Sequence, residues 1–265
     1  MTGAQLPVGS LALFLLSGLR HGMEPDHVAA IDGMTLRALD GGERHAPWVG
    51  ALFAVGHGLV VVLLAAVIAV GAASFRLPSV VVAVLDWLPI VLLMLLGAGN
   101  LRALVARGDY LPASFRMKLM PAALQERTDV FATLLVGMLF ATVVDTVAHV
   151  SAWSVFAAQS GGWSAGLLAG LLFSAGFLIT CTTDSQLVCR MLRSERDPRV
   201  TRRLRRGVGW VIVLLSFGAA LAALAEKLDW DPSGLQWVGW LAAVALVTPP
   251  LAWAWRAAAR VKANP

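Results

Sequence analysis

The chain has 265 residues, 58% of them hydrophobic and 14% charged, with a formal net charge of +5 at pH 7. A soluble domain carries about 25% charged residues, and the mean hydropathy of this chain is +0.75, so the composition excludes that class. Apolar runs of about 20 residues, the length that crosses a bilayer core, recur along the chain with the charges between them. The sequence therefore predicts an all-α polytopic membrane protein.

Seven segments are predicted to span the membrane within a single transmembrane domain, residues 1–265. In chain order they are A from Leu6 to Leu36, B from Pro47 to Ala73, C from Asp86 to Ala106, D from Thr128 to Ala158, E from Trp163 to Arg190, F from Gly207 to Glu226 and G from Leu235 to Trp255. The apolar run of A before Arg20 is short, so its helix either continues through the polar stretch that follows or is broken there.

Lysine and arginine are concentrated in alternate loops of this arrangement. They follow A and G and lie between C and D and between E and F, whereas the opposite loops hold only Arg76 and Lys227. The C–D loop holds Arg102, Arg107, Arg116, Lys118 and Arg127. The positive-inside rule then puts the N-terminus outside and the C-terminus in the cytoplasm.

The most basic stretch, residues 193–206, contains seven arginines and raises the pI to about 10.0. It is interpreted as a cytoplasmic loop between E and F that contacts anionic headgroups of the lipid bilayer. No aromatic residue interleaves with these arginines, so nucleic acid is not an expected partner.

Segment A contains the most informative motif, His21-Gly-Met-Glu-Pro-Asp26-His27. Ionisable groups inside a membrane are costly and mark function, and imidazoles with a carboxylate are typical ligands of divalent cations. Spacings of five and six residues do not share one face of a straight helix. Pro25 removes a backbone donor and clashes with the carbonyl of His21, so a kink is expected to bring His21, Asp26 and His27 together.

Three further segments carry intramembrane polar residues that are candidate metal ligands. His57 in B lies between Gly56 and Gly58, where small neighbours permit close approach of another helix. The other candidates are Asp145 and His149, four apart in D, and Cys181 and Asp184, three apart in E.

Each of these residues has a structural alternative. A lone histidine can be an interhelical hydrogen-bond donor, an Asp–His pair can relay protons, and a lone cysteine is commonly a small buried apolar residue. His45, beside Glu43 and Arg44, is expected to be solvated. The eight candidates together favour a metal path, because unpaired charge in a membrane is otherwise so unfavourable.

The order of the segments suggests two inverted three-helix repeats. Residues 6–106 hold A, B and C, residues 128–226 hold D, E and F, and G is an extra helix at 235–255. Polar residues fall on the first two helices of each repeat, which is where inverted-repeat transporters keep their substrate site.

Four stretches in order resemble motifs of the nickel/cobalt transporter (NiCoT) family. Arg20-His21-Gly-Met-Glu-Pro-Asp26-His27 resembles its signature helix, in which a histidine is followed after four residues by Asp-His. Gly56-His57-Gly-Leu-Val-Val resembles its Gly-His motif. Residues 145–149 resemble its Asp-Thr-Ala-Thr-Glu stretch, and residues 175–184 resemble the Ala-Gly-Met motif that ends in Asp-Thr-x-Asp.

The resemblance implies a secondary permease of the cell membrane that moves Ni²⁺ or Co²⁺, with His21, Asp26 and His27 as core ligands. The metal ion is then a substrate rather than a cofactor, and the protein is not an enzyme. His149 and Cys181 stand where the family has glutamate and aspartate. These softer donors are expected to shift selectivity towards nickel, copper or zinc.

The alternative is a membrane metalloenzyme or metal sensor with a metal bound by histidine and aspartate. The sequence contains no His-Glu-x-x-His motif. The direction of transport, the coupling ion and any accessory subunit stay open from the sequence.

Overall fold

The computed structural model describes residues 8–71, 79–106, 110–112, 114–142, 144–193 and 198–228, without the side chains of residues 8–10, 69–71, 79–86, 115, 144–162 and 198. All regular secondary structure in these ranges is helical, as predicted. A 3-10 turn, Ala46–Trp48, precedes α3. The α-helices are α1 Val8–Gly22, α2 Pro25–Asp40, α3 Val49–Gly71, α4 Ser79–Val105, α5 Phe115–Lys118, α6 Ala122–Gln125, α7 Val130–Ala141, α8 Val144–Arg193 and α9 Pro198–Lys227.

Four described stretches are long and apolar enough to cross a membrane. They are Ala46–Ile68, Trp87–Val105, Trp163–Arg193 and Arg199–Lys227, which coincide with predicted segments B, C, E and F. The shorter α7 is also apolar and lies at the start of segment D. The protein is therefore a multi-pass helical membrane protein. The count of seven and the orientation stay predictions, and segment G lies outside the described residues.

Segment A is broken rather than continuous. Helix α1 ends at Gly22 and α2 begins at Pro25. Glu24 has an extended backbone with φ −63° and ψ 138°, which is the conformation imposed on a residue that precedes proline. Pro25 then occupies the first helical position, where its missing N–H leaves no hydrogen bond unmade. The expected opening of the helix at the motif is confirmed.

The predicted turn between segments D and E is wrong. Helix α8 continues through residues 159–162, and the chain breaks instead between α7 and α8. Residues 144–193 contain no proline. Gly161 and Gly162 each disfavour a helix by only about 1 kcal/mol, which is too little to end one by itself.

The arginine-rich stretch is not the predicted loop. Helix α9 begins at Pro198, so the arginines from Arg199 to Arg206 form its first turns. The guanidinium of Arg205 donates two hydrogen bonds to the carboxylate of Asp40, at 3.0 and 2.6 Å. This pair joins the start of α9 to the end of α2.

Helices α1 and α3 pack closely on α8. A Cβ atom at Gly18 would overlap the carbonyl of Phe173, and one at Gly50 would overlap the carbonyl of Cys181. The hydroxyl of Thr180 donates to the carbonyl of Leu19 at 3.0 Å. Backbones approach this closely only where small residues line the contact, as is common between membrane helices.

Helices α4 and α9 form a second packed pair, and α2 lies between the two groups. Val28 and Ala29 of α2 pack with Leu96 of α4 and Ile212 of α9. Ile31 of α2 belongs instead to the cluster that includes residues of α3, α7 and α8. Helix α2 therefore buries both of its sides, and most of its residues are buried.

Gly50→Ala is expected to destabilise the protein by about 1 to 3 kcal/mol, because the added methyl must push α3 away from α8. The matched control is Gly99→Ala in α4, since a Cβ atom there meets nothing within 4 Å. The midpoint of thermal unfolding of purified protein in detergent measures both effects. A Gly50→Ala midpoint equal to that of the control would show that the helices are not in this contact.

Candidate metal centre

Three buried imidazoles from three different helices meet in one place. His21 is in the last turn of α1, His27 in the first turn of α2 and His57 within α3. Their exposed fractions are 3%, 0% and 0%. The ring centroids lie 4.6 Å apart for His21 and His27, 5.5 Å for His21 and His57, and 5.3 Å for His27 and His57.

The spacing of these rings suits a small cation. One nitrogen from each imidazole can be chosen so that all three lie within 4.8 Å of one another. Bonds of about 2.0–2.1 Å from a metal such as zinc to imidazole would hold two nitrogens at most about 4.2 Å apart. Only a small inward adjustment of the rings is therefore needed to bind a first-row divalent ion.

The break in segment A builds this cluster. His21 and His27 are six residues apart and would point in different directions from one straight helix. Ending α1 at Gly22 and restarting at Pro25 lets the chain change direction between the two histidines. The helix that carries His57 is held close to α7 by its glycines, because a Cβ atom at Gly56 would overlap the carbonyl of Leu134. The predicted role of the small residues beside His57 is confirmed.

Phenylalanine rings surround the imidazoles. Phe177 of α8 stacks on His57 at 4.4 Å and meets His27 edge-on at 5.2 Å. Phe173 lies 5.3 Å from His21, and Phe140 of α7 lies 5.9 Å from His27. These rings restrict both water and the rotation of the imidazoles, so the cluster is a dry and preorganised site.

His57 is the clearest sign of a ligand site. Its Nδ1 and Nε2 atoms are both buried, and neither has a hydrogen-bond partner among the described residues. Buried polar groups in proteins are nearly always paired, so such a group requires an explanation. A metal ion bound by the neutral ring supplies one.

Two carboxylates of the motif face the other two rings. Glu24 places Oε1 3.0 Å from Nδ1 of His21 and Oε2 3.7 Å from Nδ1 of His27. Asp26 Oδ1 lies 3.3 Å from Nδ1 of His27. In metal sites a carboxylate commonly accepts the N–H of a ligating histidine and fixes which nitrogen is free to bind. Hydrogen bonds of this kind would leave the Nε2 atoms of His21 and His27 free to bind a metal.

Glu24, Asp26 and His27 also form a second group of three possible ligands. Glu24 was not among the predicted ligands. Glu24 lies three residues from each histidine of the motif, and this spacing could have identified it as a candidate.

Arg116 was predicted to lie in the C–D loop with other cytoplasmic basic residues, and its burial departs from that expectation. It is 8% exposed, and its NH1 atom lies 2.8 Å from Oδ2 of Asp26. Its guanidinium carbon also lies 5.9 Å from the centre of the Phe140 ring. No sequence periodicity signals this contact, because it depends on how the chain between α4 and α7 folds back.

Cys181 and Asp184 lie further along α8 from Phe177. Cys181 is fully buried in the apolar cluster that includes Phe53 and Phe177, and Asp184 is half-buried. Among the described residues, neither belongs to a group of three or more possible ligands. Asp32 of α2, which the sequence analysis missed, is 1% exposed and interacts electrostatically with Asp184.

Two other candidates, Asp145 and His149, lie in the first turns of α8, and their side chains are outside the described part. They stay predictions. His45 is not simply solvated as expected, because it is half-buried and its Nε2 lies 2.6 Å from the carbonyl oxygen of Thr128.

The fold and the site together define a multi-pass membrane protein that buries three histidines at a spacing suited to a small cation. Residues 8–107 match the family model of NicO, the high-affinity nickel-transport protein. These residues include the helix break and all three clustered histidines. This match covers 100 of the 265 residues and, with the relatives described next, shows that the chain is similar to nickel and cobalt transporters.

Three relatives are transporters of these metals. The nickel transporter NicT of Mycobacterium tuberculosis is 29% identical over 261 residues, covering 84% of this chain and 69% of NicT. The cobalt transport protein NhlF of Rhodococcus rhodochrous is 47% identical over 66 residues, 25% of this chain and 18% of NhlF. A high-affinity nickel transport protein of Cupriavidus necator is 39% identical over 69 residues, 26% of this chain and 19% of that protein.

The matches to the Rhodococcus and Cupriavidus proteins thus span less than a fifth of each relative. No solved structure matches the chain. The family and these relatives are transporters rather than enzymes, so the metalloenzyme alternative is not favoured.

His57→Gln is expected to weaken Ni²⁺ binding by about 100-fold or more, because even the loss of a group that only orients a ligand costs about 10- to 100-fold. Isothermal titration of the purified protein in detergent measures the dissociation constant. His45→Gln is the matched control, since His45 contacts Thr128 rather than the cluster. Equal affinities of the two variants would remove His57 from the site.

Proposed function

We propose that this protein is a permease that carries Ni²⁺ or Co²⁺ across the cell membrane, and that His21, His27 and His57 bind the ion on its way. The meeting of three buried imidazoles at the helix break is the observation that supports this most directly. Imidazole suits nickel among the first-row metals. The names of the relatives, nickel and cobalt transporters, agree with this choice.

Asp26 has two roles in this proposal. It orients His27 through Nδ1, and its carboxylate is a further oxygen ligand within the group formed with Glu24 and His27. A donor set with both imidazole and carboxylate compensates the double charge of the ion in dry surroundings, where an unpaired cation would be very unfavourable.

Cys181 and Asp184 are proposed as later positions on the ion's path. They follow Phe177 on α8 by four and seven residues, which corresponds to about 6 and 10 Å along a helix. Asp145 and His149, at the beginning of α8, are proposed as further ligands on this path. Ions that leave the imidazoles would then meet a second set of weaker ligands before they reach water.

The membrane arrangement in the proposal has seven spans, with the N-terminus outside and the C-terminus in the cytoplasm. Residues 6–106 and 128–226 form the two inverted repeats, and residues 235–255 form the additional helix. The one-sided distribution of lysine and arginine supports this orientation.

Metal selectivity must come from geometry, since copper and usually zinc bind nitrogen sites more tightly than nickel or cobalt. The phenylalanine rings hold the imidazoles in fixed orientations. Imidazole ligands held rigidly in this way disfavour ions that require a different coordination geometry.

His27→Ala is expected to abolish Ni²⁺ or Co²⁺ flux, because it removes one of the three imidazoles. Uptake into proteoliposomes is measured for the wild type and the variant, with Ni²⁺, Co²⁺, Zn²⁺ and Cu²⁺ offered in parallel. His45→Ala is the control variant. Absence of flux of every ion, together with tightly bound metal in the wild-type protein, would instead favour a metalloenzyme or a sensor.

The energy for transport is proposed to come from an ion gradient or the membrane potential, since the printed sequence has no Gly-x4-Gly-Lys-Ser/Thr loop for ATP. Ligands must be deprotonated to bind a metal, so metal binding and proton release are coupled. Collapse of both the pH gradient and the potential is therefore expected to reduce flux into proteoliposomes to the passive rate. Flux that persists unchanged would contradict this coupling.

A further inference from the structure

Arg116 is buried beside the metal centre, although metal binding by the imidazoles does not require it. Its side chain is 9% exposed, and its NH1 atom lies 2.8 Å from Oδ2 of Asp26. Two other basic residues between α4 and α7, Lys118 and Arg127, are exposed. Among the described basic side chains of this connection, Arg116 is therefore the buried one.

A buried guanidinium needs a partner. Arginine keeps its charge in proteins, and burying a charge is unfavourable unless another group compensates it. Asp26 supplies this compensation. The two oxygens of Asp26 are divided between two contacts, since Oδ1 faces Nδ1 of His27 at 3.3 Å and Oδ2 faces the guanidinium.

We propose that Arg116 is a tethered counter-ion that competes with the transported cation for Asp26. This inference rests on the proposed function and deepens it. A divalent ion held by His27 and Asp26, which share one group of possible ligands with Glu24, would place a second positive charge beside the guanidinium. Two like charges at a single carboxylate repel each other strongly in a medium of low dielectric constant. Binding of the ion therefore releases Arg116 from Asp26.

The short helix that carries Arg116 can move when the guanidinium leaves Asp26. Helix α5 has only four residues, Phe115–Lys118. Met117 is 8% exposed and packs in the same apolar cluster as Phe140 and Phe177, whereas Leu119 is 71% exposed. In this proposal the short turn moves with the guanidinium, so that Met117 leaves the apolar cluster when Arg116 leaves Asp26. Arrival of the ion is thereby linked to a displacement of the turn Phe115–Lys118.

Three variants of the full-length protein in detergent test the competition. Arg116→Gln removes the charge, Arg116→Lys retains it, and Lys118→Gln removes a neighbouring exposed charge as the control. The dissociation constant for Ni²⁺ is measured by titration, and KM and maximal rate are measured separately in proteoliposomes.

Arg116→Gln is expected to bind Ni²⁺ about fivefold or more tightly, the lower end of coupling between interacting sites. Its KM and its maximal rate should both fall, because the ion is bound more tightly and released more slowly. Arg116→Lys and Lys118→Gln should stay near the wild type. A merely structural role would lower the amount of folded protein without tightening binding. Unchanged or weaker binding by folded Arg116→Gln overturns the proposal.

A second measurement keeps the test decisive if Arg116→Gln does not fold. Met117→Cys is introduced into the otherwise wild-type chain, whose own Cys181 and Cys189 are 0% and 1% exposed. Maleimide labelling of the new cysteine should become faster when Ni²⁺ is added, with Leu119→Cys as an exposed reference. A labelling rate that Ni²⁺ does not change overturns the proposal.

The binding and transport measurements distinguish an error in the role of Arg116 from an error in the proposed function. If the wild type neither binds nor transports Ni²⁺ or Co²⁺, the proposed function is wrong and Arg116 has nothing to compete with. If the wild type transports the ion and the Arg116 variants behave as Lys118→Gln does, only the role of Arg116 is wrong.

Discussion

The break between α1 and α2 is the constraint on which the rest of the site depends. A proline within an apolar segment leaves the carbonyl of His21 without its helical partner and forces Glu24 into an extended conformation. The backbone partly compensates, since the N–H of Glu24 donates to the carbonyl of His21 at 3.1 Å. The same local distortion turns the two histidines towards each other. Pro25, which is unfavourable inside a continuous helix, thereby brings the histidines of the cluster together.

Charged side chains lie in apolar surroundings around this break, which is an unfavourable combination. Phe53, Phe140, Phe173 and Phe177 make the surroundings apolar, yet two carboxylates and a guanidinium lie among or beside them. Each charged group is tolerated because it contacts another polar group, which is the usual condition for burial. A small change in one contact therefore affects all of them. The site is sensitive to charge because its buried and apolar surroundings screen charges poorly.

The sequence allowed prediction of features that depend on local chemistry. Pro25 predicted both the opening of the helix and the meeting of His21 with His27 there, and the glycines beside His57 predicted close packing. Features that depend on distant parts of the chain were missed. Arg116 was predicted only as one of several basic loop residues. Its contact with Asp26 joins residues 90 positions apart, so no local pattern indicates it. The turn predicted near Gly161 failed because glycine weakens a helix without ending it.

Helix α2 has an unusual place among the helices. Val28 and Ala29 pack with α4 and α9, Ile31 packs within the other group, and Asp40 is paired with Arg205 of α9. Helix α1, in contrast, is fastened to α8 through the hydroxyl of Thr180. His21 is thus supported by one helix group, whereas His27 stands on a helix that contacts both groups. A shift of the two groups that carries α2 along with α4 and α9 would therefore change the distance between His21 and His27, and the histidine cluster would respond to the relative position of the groups.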